Sequence, residues 1–76
     1  MNKERRQRLR DVRHKLSSLK DTIEEIRDAE DEARDSMPEN LVYSDRYEQS
    51  EQASESMDEA IDSIDEAMSA LEEALD

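Results

Sequence analysis

Residues Gln49 to Asp76 read QSEQASE, SMDEAID, SIDEAMS and ALEEALD, four consecutive segments of seven residues. Apolar side chains recur every seven residues in two series, Met57, Ile64 and Leu71 in the first and Ile61, Met68 and Leu75 in the second. Apolar residues that alternate three and four apart form one stripe on an α-helix. Such a helix is not stable alone in water. This segment therefore needs another helix to pack against.

The first half of the chain supplies that helix. Residues 3–35 carry the same alternating spacing, in the series Leu9, Val12, Leu16, Leu19, Ile23, Ile26, Glu30, Ala33 and Met37. Residues 36–43 break the pattern, because Pro38 lacks the N–H group that a helix interior needs. Residues 45–75 form the second predicted helix, and a short break between long helices gives an antiparallel pair. The predicted fold is all-α, a two-helix antiparallel coiled-coil hairpin in one domain, 1–76.

Charged residues predict how the two helices align. If Leu9 and Ile61 are both a positions of the heptad, the e positions are basic in the first helix and acidic in the second. In an antiparallel pair e faces e, which predicts ion pairs of Arg6 with Glu72, Arg13 with Asp65, Lys20 with Asp58 and Arg27 with Glu51. The same register predicts apolar pairs, Leu9 with Leu71, Val12 with Met68, Leu16 with Ile64, Leu19 with Ile61 and Ile23 with Met57. Towards the turn we expect weaker pairing, with Ile26 against Ser54 and Glu30 against Ser50.

The predicted core is thin. The chain has 76 residues, of which 33% are hydrophobic and 45% charged, and domains of this size rarely gain more than about 3–5 kcal/mol from one core. We therefore expect help from a second copy or a partner. Small residues at the g positions of the second helix fit close helix packing, which predicts a homodimer in the form of a four-helix bundle through Ala53, Ala60, Ala67 and Ala74. The alternative is that alanine is only a good helix former on a surface.

Several site classes are not expected. The chain has no cysteine, so it holds no disulfide or thiolate metal site. It has no glycine for the sharp turn of an EF-hand loop, and His14 is predicted to point outward with no second histidine. A two-helix hairpin has no concave interior for a catalytic pair, so we predict no enzyme activity, no metal and no cofactor. No apolar run is long enough for a membrane span, and the basic N-terminus lacks a secretory h-region, so we expect a cytoplasmic protein.

The acidic charge is the main functional signal. The net charge is −12, but residues 1–20 hold eight Lys and Arg against two Asp and Glu, and residues 21–76 hold three against 21. A net −18 along a helix of about 45 Å gives roughly one charge per 2.5 Å, against one per ~1.7 Å in duplex DNA. Such a rod fits a basic nucleic-acid-binding groove on another protein. The predicted contact residues are Glu51, Glu55, Asp58, Glu59, Asp62, Asp65 and Glu66.

Two alternatives to this prediction stay open. Charge runs are usually solvated faces, in which case the hairpin is a structural coiled-coil assembly module. A basic cluster at the start of the chain suggests direct nucleic-acid binding instead, through Lys3, Arg5, Arg6, Arg8, Arg10, Arg13 and Lys15. We discount that binding, because Arg6 and Arg13 are expected to pair with the second helix. No aromatic residues interleave with the cluster, and the acidic bulk repels phosphate.

One segment resembles a known group of proteins. The run ARDSMPENL at Ala33–Leu41, followed by Ser44 and Glu48, lies between a helix that begins with Arg and Lys and an acidic helix containing SIDEAMSALEEA. This arrangement resembles small acidic hairpin proteins found in bacterial phages and prophages, most of which have no assigned function. The resemblance implies a phage-type accessory protein in a bacterial host cell. It raises the expectation of an inhibitor of a host defence or nucleic-acid enzyme, and it carries over no site residues.

Overall fold

The computed structural model describes residues 1–76, which form two long helices joined by a short turn. Helix α1 spans Lys3–Asp35 and helix α2 spans Asp45–Leu75, with one 3-10 turn at Glu39–Leu41 between them. The helices run antiparallel and pack along their length into a rod of 60 × 15 × 13 Å. The all-helical hairpin expected from the heptads is confirmed. Neither helix has a stretch long and apolar enough to cross a membrane.

Polar side chains cap both helices at their first turn. The Asn2 side chain accepts the Arg5 backbone N–H at 2.8 Å, which satisfies one of the free donors at the start of α1. Ser44 caps α2 by accepting the Tyr47 backbone N–H at 3.3 Å. The Ser44 hydroxyl also donates to the Leu41 carbonyl at 2.6 Å. This second bond ties the 3-10 turn to the start of α2.

The ion pairs between the helices differ from the predicted ones by one heptad. Three basic residues of α1 pair with the carboxylate seven residues further along α2 than expected, in Arg13–Glu72 at 3.5 Å, Lys20–Asp65 at 2.7 Å and Arg27–Asp58 at 2.8 Å. The predicted pairs Arg6–Glu72, Arg13–Asp65, Lys20–Asp58 and Arg27–Glu51 are therefore wrong. Arg6 makes no ion pair, because this register places it beyond the last turn of α2.

The face that α1 turns towards α2 is also rotated from the predicted one. Leu9, Leu16 and Ile23 are half-buried as expected, and the basic e positions are half-buried beside them, namely Arg13, Lys20, Arg27 and Arg34. The predicted core residues Val12, Leu19 and Ile26 instead remain 43%, 56% and 55% exposed. Helix α1 thus contacts α2 through a and e positions. The assignment of these three d residues to the hairpin core was wrong.

The apolar register shifts together with this rotation. To within one residue, Ile23 is level with Ile61 and Leu16 is level with Met68, about one turn beyond the predicted partners Met57 and Ile64. The physical reason is that Lys and Arg carry long aliphatic stems, which cover apolar surface while the charged heads reach outward. A basic residue at an e position can therefore cover the edge of the apolar core with its stem and form an ion pair with its charged head. Ile61, at 7% exposure, is the one buried apolar side chain.

Candidate functional site

The seven carboxylates predicted to contact a partner fall into two groups. Asp58 accepts a hydrogen bond from the Arg27 guanidinium at 2.8 Å, and Asp65 accepts one from the Lys20 ammonium at 2.7 Å. Both carboxylates therefore lie at the contact between α1 and α2, and their charge is balanced within the hairpin. They position the two helices and leave the outward charge to the other five residues.

These cross-helix bonds hold the cations in their charged form. The hydrogen bond to Asp65 raises the pKa of Lys20 above its usual value, against a smaller opposing effect of burial. The hydrogen bond to Asp58, with a second one to Asp28, raises the pKa of Arg27 in the same way. Because both cations stay protonated, the pairing persists at neutral pH and into the alkaline range.

Four of the remaining carboxylates form a continuous line, which we call the acidic ridge, made of Glu55, Glu59, Asp62 and Glu66. All four are exposed, and none takes part in an ion pair. Their spacing of four, three and four residues keeps them on one side of α2, about 5.5 Å apart along the helix axis. A single DNA strand carries one charge per ~3.4 Å. The ridge is therefore within a factor of two of that density, and Glu51 extends it towards the turn.

The alanines predicted to mediate self-association lie on another side of the hairpin. Ala60 is half-buried, and Ala53, Ala67 and Ala74 are exposed. The ion pairs join e positions of both helices, and in an antiparallel pair the g positions lie on the opposite side. The alanines occupy those g positions of α2. A contact at the alanines thus leaves the acidic ridge uncovered.

The sequence analysis placed Glu30 against Ser50, as the structure does, but it missed the hydrogen-bonded cluster near the turn to which they belong. Ser50 and Ser54 are only 6% and 7% exposed, and Arg34 donates to their hydroxyls at 3.2 and 2.9 Å. Ser50 in turn donates to Glu30 at 2.6 Å, and Ser54 donates to Asp31 at 2.6 Å. The signal was two serines at a and d positions of an otherwise apolar series. The sequence analysis took them to mean loose packing.

This cluster stabilises the turn end of the hairpin. The hydrogen bond from Ser54 is the largest effect that lowers the pKa of Asp31, followed by the bond from Arg34. The bond to Asp31 correspondingly raises the pKa of Arg34. Every buried polar side-chain atom has a hydrogen-bond partner. The cluster therefore leaves none of its buried polar atoms unsatisfied, and it joins α1 to α2 at the turn end of the hairpin.

The remaining candidates for a site are groups of carboxylates that could bind a metal ion and the basic start of α1. No group of three or more His, Cys, Asp or Glu side chains is placed to hold a metal ion. At the basic start of α1, Arg6 is free of any ion pair, whereas Arg13 pairs with Glu72. Of the three reasons for discounting nucleic-acid binding by this cluster, the first, pairing with α2, is therefore wrong for Arg6 and holds for Arg13.

The hairpin was compared with known proteins. Comparison with protein-family models, with curated proteins and with solved structures finds no match. The resemblance of residues 33–41 to phage hairpin proteins therefore stays a prediction.

Proposed function

We propose that this chain is a non-enzymatic protein-binding hairpin whose acidic ridge docks into a basic nucleic-acid-binding groove of another protein. The observation that supports this proposal most is that some carboxylates of α2 form ion pairs with α1 and others form none. Arg27 forms an ion pair with Asp58, and Lys20 forms one with Asp65. The four carboxylates of the acidic ridge face outward and pair with no cation. From Tyr47 to the end of the chain there is no Lys or Arg to compensate it.

A rigid row of carboxylates is suited to this role. The helix holds the charges at fixed spacing, so docking costs little ordering of the backbone. Charge complementarity speeds the encounter with a positively charged cleft and disfavours partners with the same charge. The bound rod then occupies the space that nucleic acid would take. Exposed charges are screened beyond about 8 Å at physiological ionic strength, so this binding weakens as salt rises.

The resemblance to phage and prophage hairpins suggests the kind of partner. A host defence protein that binds nucleic acid carries a basic groove. An acidic rod in that groove inhibits the protein by blocking the groove, without any catalytic step. On this proposal the chain acts as an inhibitor by occupancy. It needs no catalytic residue, metal or cofactor for that action.

A second candidate function is coiled-coil assembly, which the exposed alanines of α2 favour. The two candidates respond to different substitutions. Ala60→Glu or Ala67→Glu places a charge in the small-residue row and abolishes assembly, while the acidic ridge is unchanged. Charge reversal at Asp62 and Glu66 abolishes groove binding and leaves the alanine row intact.

The test compares two variants of equal net charge. Asp62→Lys with Glu66→Lys reverses the centre of the acidic ridge, and Asp21→Lys with Asp35→Lys reverses two exposed carboxylates of α1 that make no ion pair. Each immobilised chain is exposed to a bacterial lysate, with duplex DNA as competitor and stepwise salt elution. Circular dichroism checks that both variants keep the helical content of the native chain.

The expected result is one or more basic proteins that bind the native chain and the α1 variant, elute at moderate salt and are displaced by duplex DNA. Those proteins should be lost on the ridge variant. Two results would refute the proposal. One is partners that DNA does not displace. The other is equal loss on both variants, which would mean that total charge matters and the acidic ridge does not.

A further inference from the structure

A row of exposed apolar side chains runs along α1 on the side away from the ion pairs. Val12, Leu19 and Ile26 are spaced by seven residues and are 43–56% exposed. Between and beyond them lie Lys15, Thr22, Ala29 and Ala33, all exposed, at the three-and-four spacing of a coiled-coil seam. We call this row, Val12 to Ala33, the outer stripe. It gives α1 a second packing face, which the hairpin leaves uncovered.

The outer stripe and the alanines of α2 lie on one face of the hairpin. The ion pairs occupy the e side of both helices. The d residues of the outer stripe and the g alanines both lie on the opposite side. This face presents aliphatic side chains in one row and small ones in the next. Two surface grooves, of about 430 and 400 Å³, open along α1 beside Val12 and Leu19.

The charge along α1 indicates what covers this face. Residues 1–20 hold eight Lys and Arg against two acids, a balance of +6, and residues 21–35 hold two Arg against eight acids, a balance of −6. The sign changes next to Leu19, the middle one of the three large apolar residues of the outer stripe. A second copy that packs antiparallel across a two-fold axis at Leu19 places each basic half over an acidic half. A parallel copy places like charges together.

We propose that a second copy of this chain docks on the outer stripe, with α1 antiparallel to the partner's α1 and the two-fold axis at Leu19. In this arrangement Leu19 meets the same residue of the copy, and Val12 of each copy meets Ile26 of the other. The interface is self-complementary, as a two-fold dimer requires. The acidic ridge lies on the outer side of α2 and stays free, so this inference does not depend on the proposed function.

Cysteine cross-linking tests the geometry directly, since the chain has no cysteine of its own. A disulfide needs two Cα atoms within about 7 Å of each other. Leu19→Cys should therefore oxidise rapidly to a cross-linked dimer. Val12→Cys and Ile26→Cys should each stay uncross-linked alone and cross-link when mixed. Gln52→Cys, on the exposed outer side of α2, is the control for random collision.

Dimer formation is measured on the full chain by sedimentation equilibrium over a range of concentrations. Leu19→Glu places two carboxylates against each other at the axis and should raise the dimer dissociation constant more than about 100-fold. Gln52→Glu adds the same charge away from the interface and should leave the constant unchanged. Because Leu19 is half-exposed in the hairpin, helical content by circular dichroism should survive its replacement.

Three results would overturn the proposal. The first is a native chain that stays monomeric at all concentrations, which means that the stripe receives a different protein. The second is Val12→Cys that cross-links alone as fast as the mixture, which means parallel packing. The third is Leu19→Cys that cross-links no faster than Gln52→Cys, which places the interface elsewhere.

Discussion

Replacement of Ile61 by alanine tests the rotated packing of the helices most directly. The heptad pattern assigns Ile61 and Ile26 equally to the core, but the structure exposes 7% of the first and 55% of the second. Each change to alanine removes three carbon atoms. Alanine is the better helix former in both places, so that gain cancels in a comparison. The difference between the two variants therefore reports burial.

The expected costs follow from the number of carbons and their burial. Three fully buried carbons are worth about 2.4 kcal/mol at ~0.8 kcal/mol each. For Ile61→Ala the cost is about 2–3 kcal/mol, in the lower part of the usual range, because the side chain is not completely covered and a thin hairpin can close over the gap. For Ile26→Ala, with less than half of the side chain covered, the cost is about 1 kcal/mol.

Urea unfolding followed by helical circular dichroism measures both costs. With a slope of about 1 kcal/mol per molar urea, typical of small domains, the midpoint should fall by about 2–3 M for Ile61→Ala and about 1 M for Ile26→Ala. For a fold worth about 3–5 kcal/mol, the first loss removes most of the stability. If both variants lost the same free energy of unfolding in dilute solution, the rotation of α1 would be refuted and the a and d positions would form the contact with α2. If the outer stripe also docks a second copy, only the Ile26→Ala cost should grow with protein concentration.

Three more outcomes follow from the polar contacts between the helices. Lys20→Glu should lower the melting temperature. A second change, Asp65→Lys, should restore it, whereas Asp58→Lys should not. If Asp58→Lys restored the melting temperature instead, the register predicted from the sequence would be the correct one. Asp31→Asn should destabilise the hairpin at neutral pH and make little difference in acid, as measured by urea unfolding at several pH values. The sign follows from the lowered pKa of Asp31, since its contribution is present above the ordinary value of 3.8 and is lost as pH falls through the folded value. Arg34→Lys should lower the melting temperature, because an ammonium lacks the planar fork that reaches two hydroxyls and Asp31 together.

Heptad periodicity was sufficient to predict the helices and their antiparallel order. Seven-residue repeats in both halves, with Pro38 between them, leave few other arrangements for 76 residues. The position of the acidic ridge followed as well, because b and f positions of α2 point away from any partner helix. These features depend only on the spacing of residues within one helix, and that spacing is visible in the sequence.

The rotation and register of α1 could not be obtained in the same way. The a positions Leu9, Leu16 and Ile23 belong to two possible seams, one completed by apolar d residues and the other by basic e residues. A hydrophobicity pattern favours the first, because it treats lysine and arginine as polar throughout. The folded hairpin uses the second, in which the stems of Lys20 and Arg27 cover α2 while their heads bind Asp65 and Asp58.

The proposed dimer uses both seams of α1 at the same time. A helix that packed against α2 alone would need no Leu19 or Ile26 once its e positions had taken over that contact. Three half-exposed aliphatic residues at seven-residue spacing give the unpartnered hairpin only part of the stability that full burial would provide, and they raise the risk of non-specific association. A second helix against the d residues removes that surface from water while the e residues stay with α2. On this proposal, the wide apolar pattern of α1 is the pattern of a helix with two neighbours, one of them α2 and the other the α1 of a second copy.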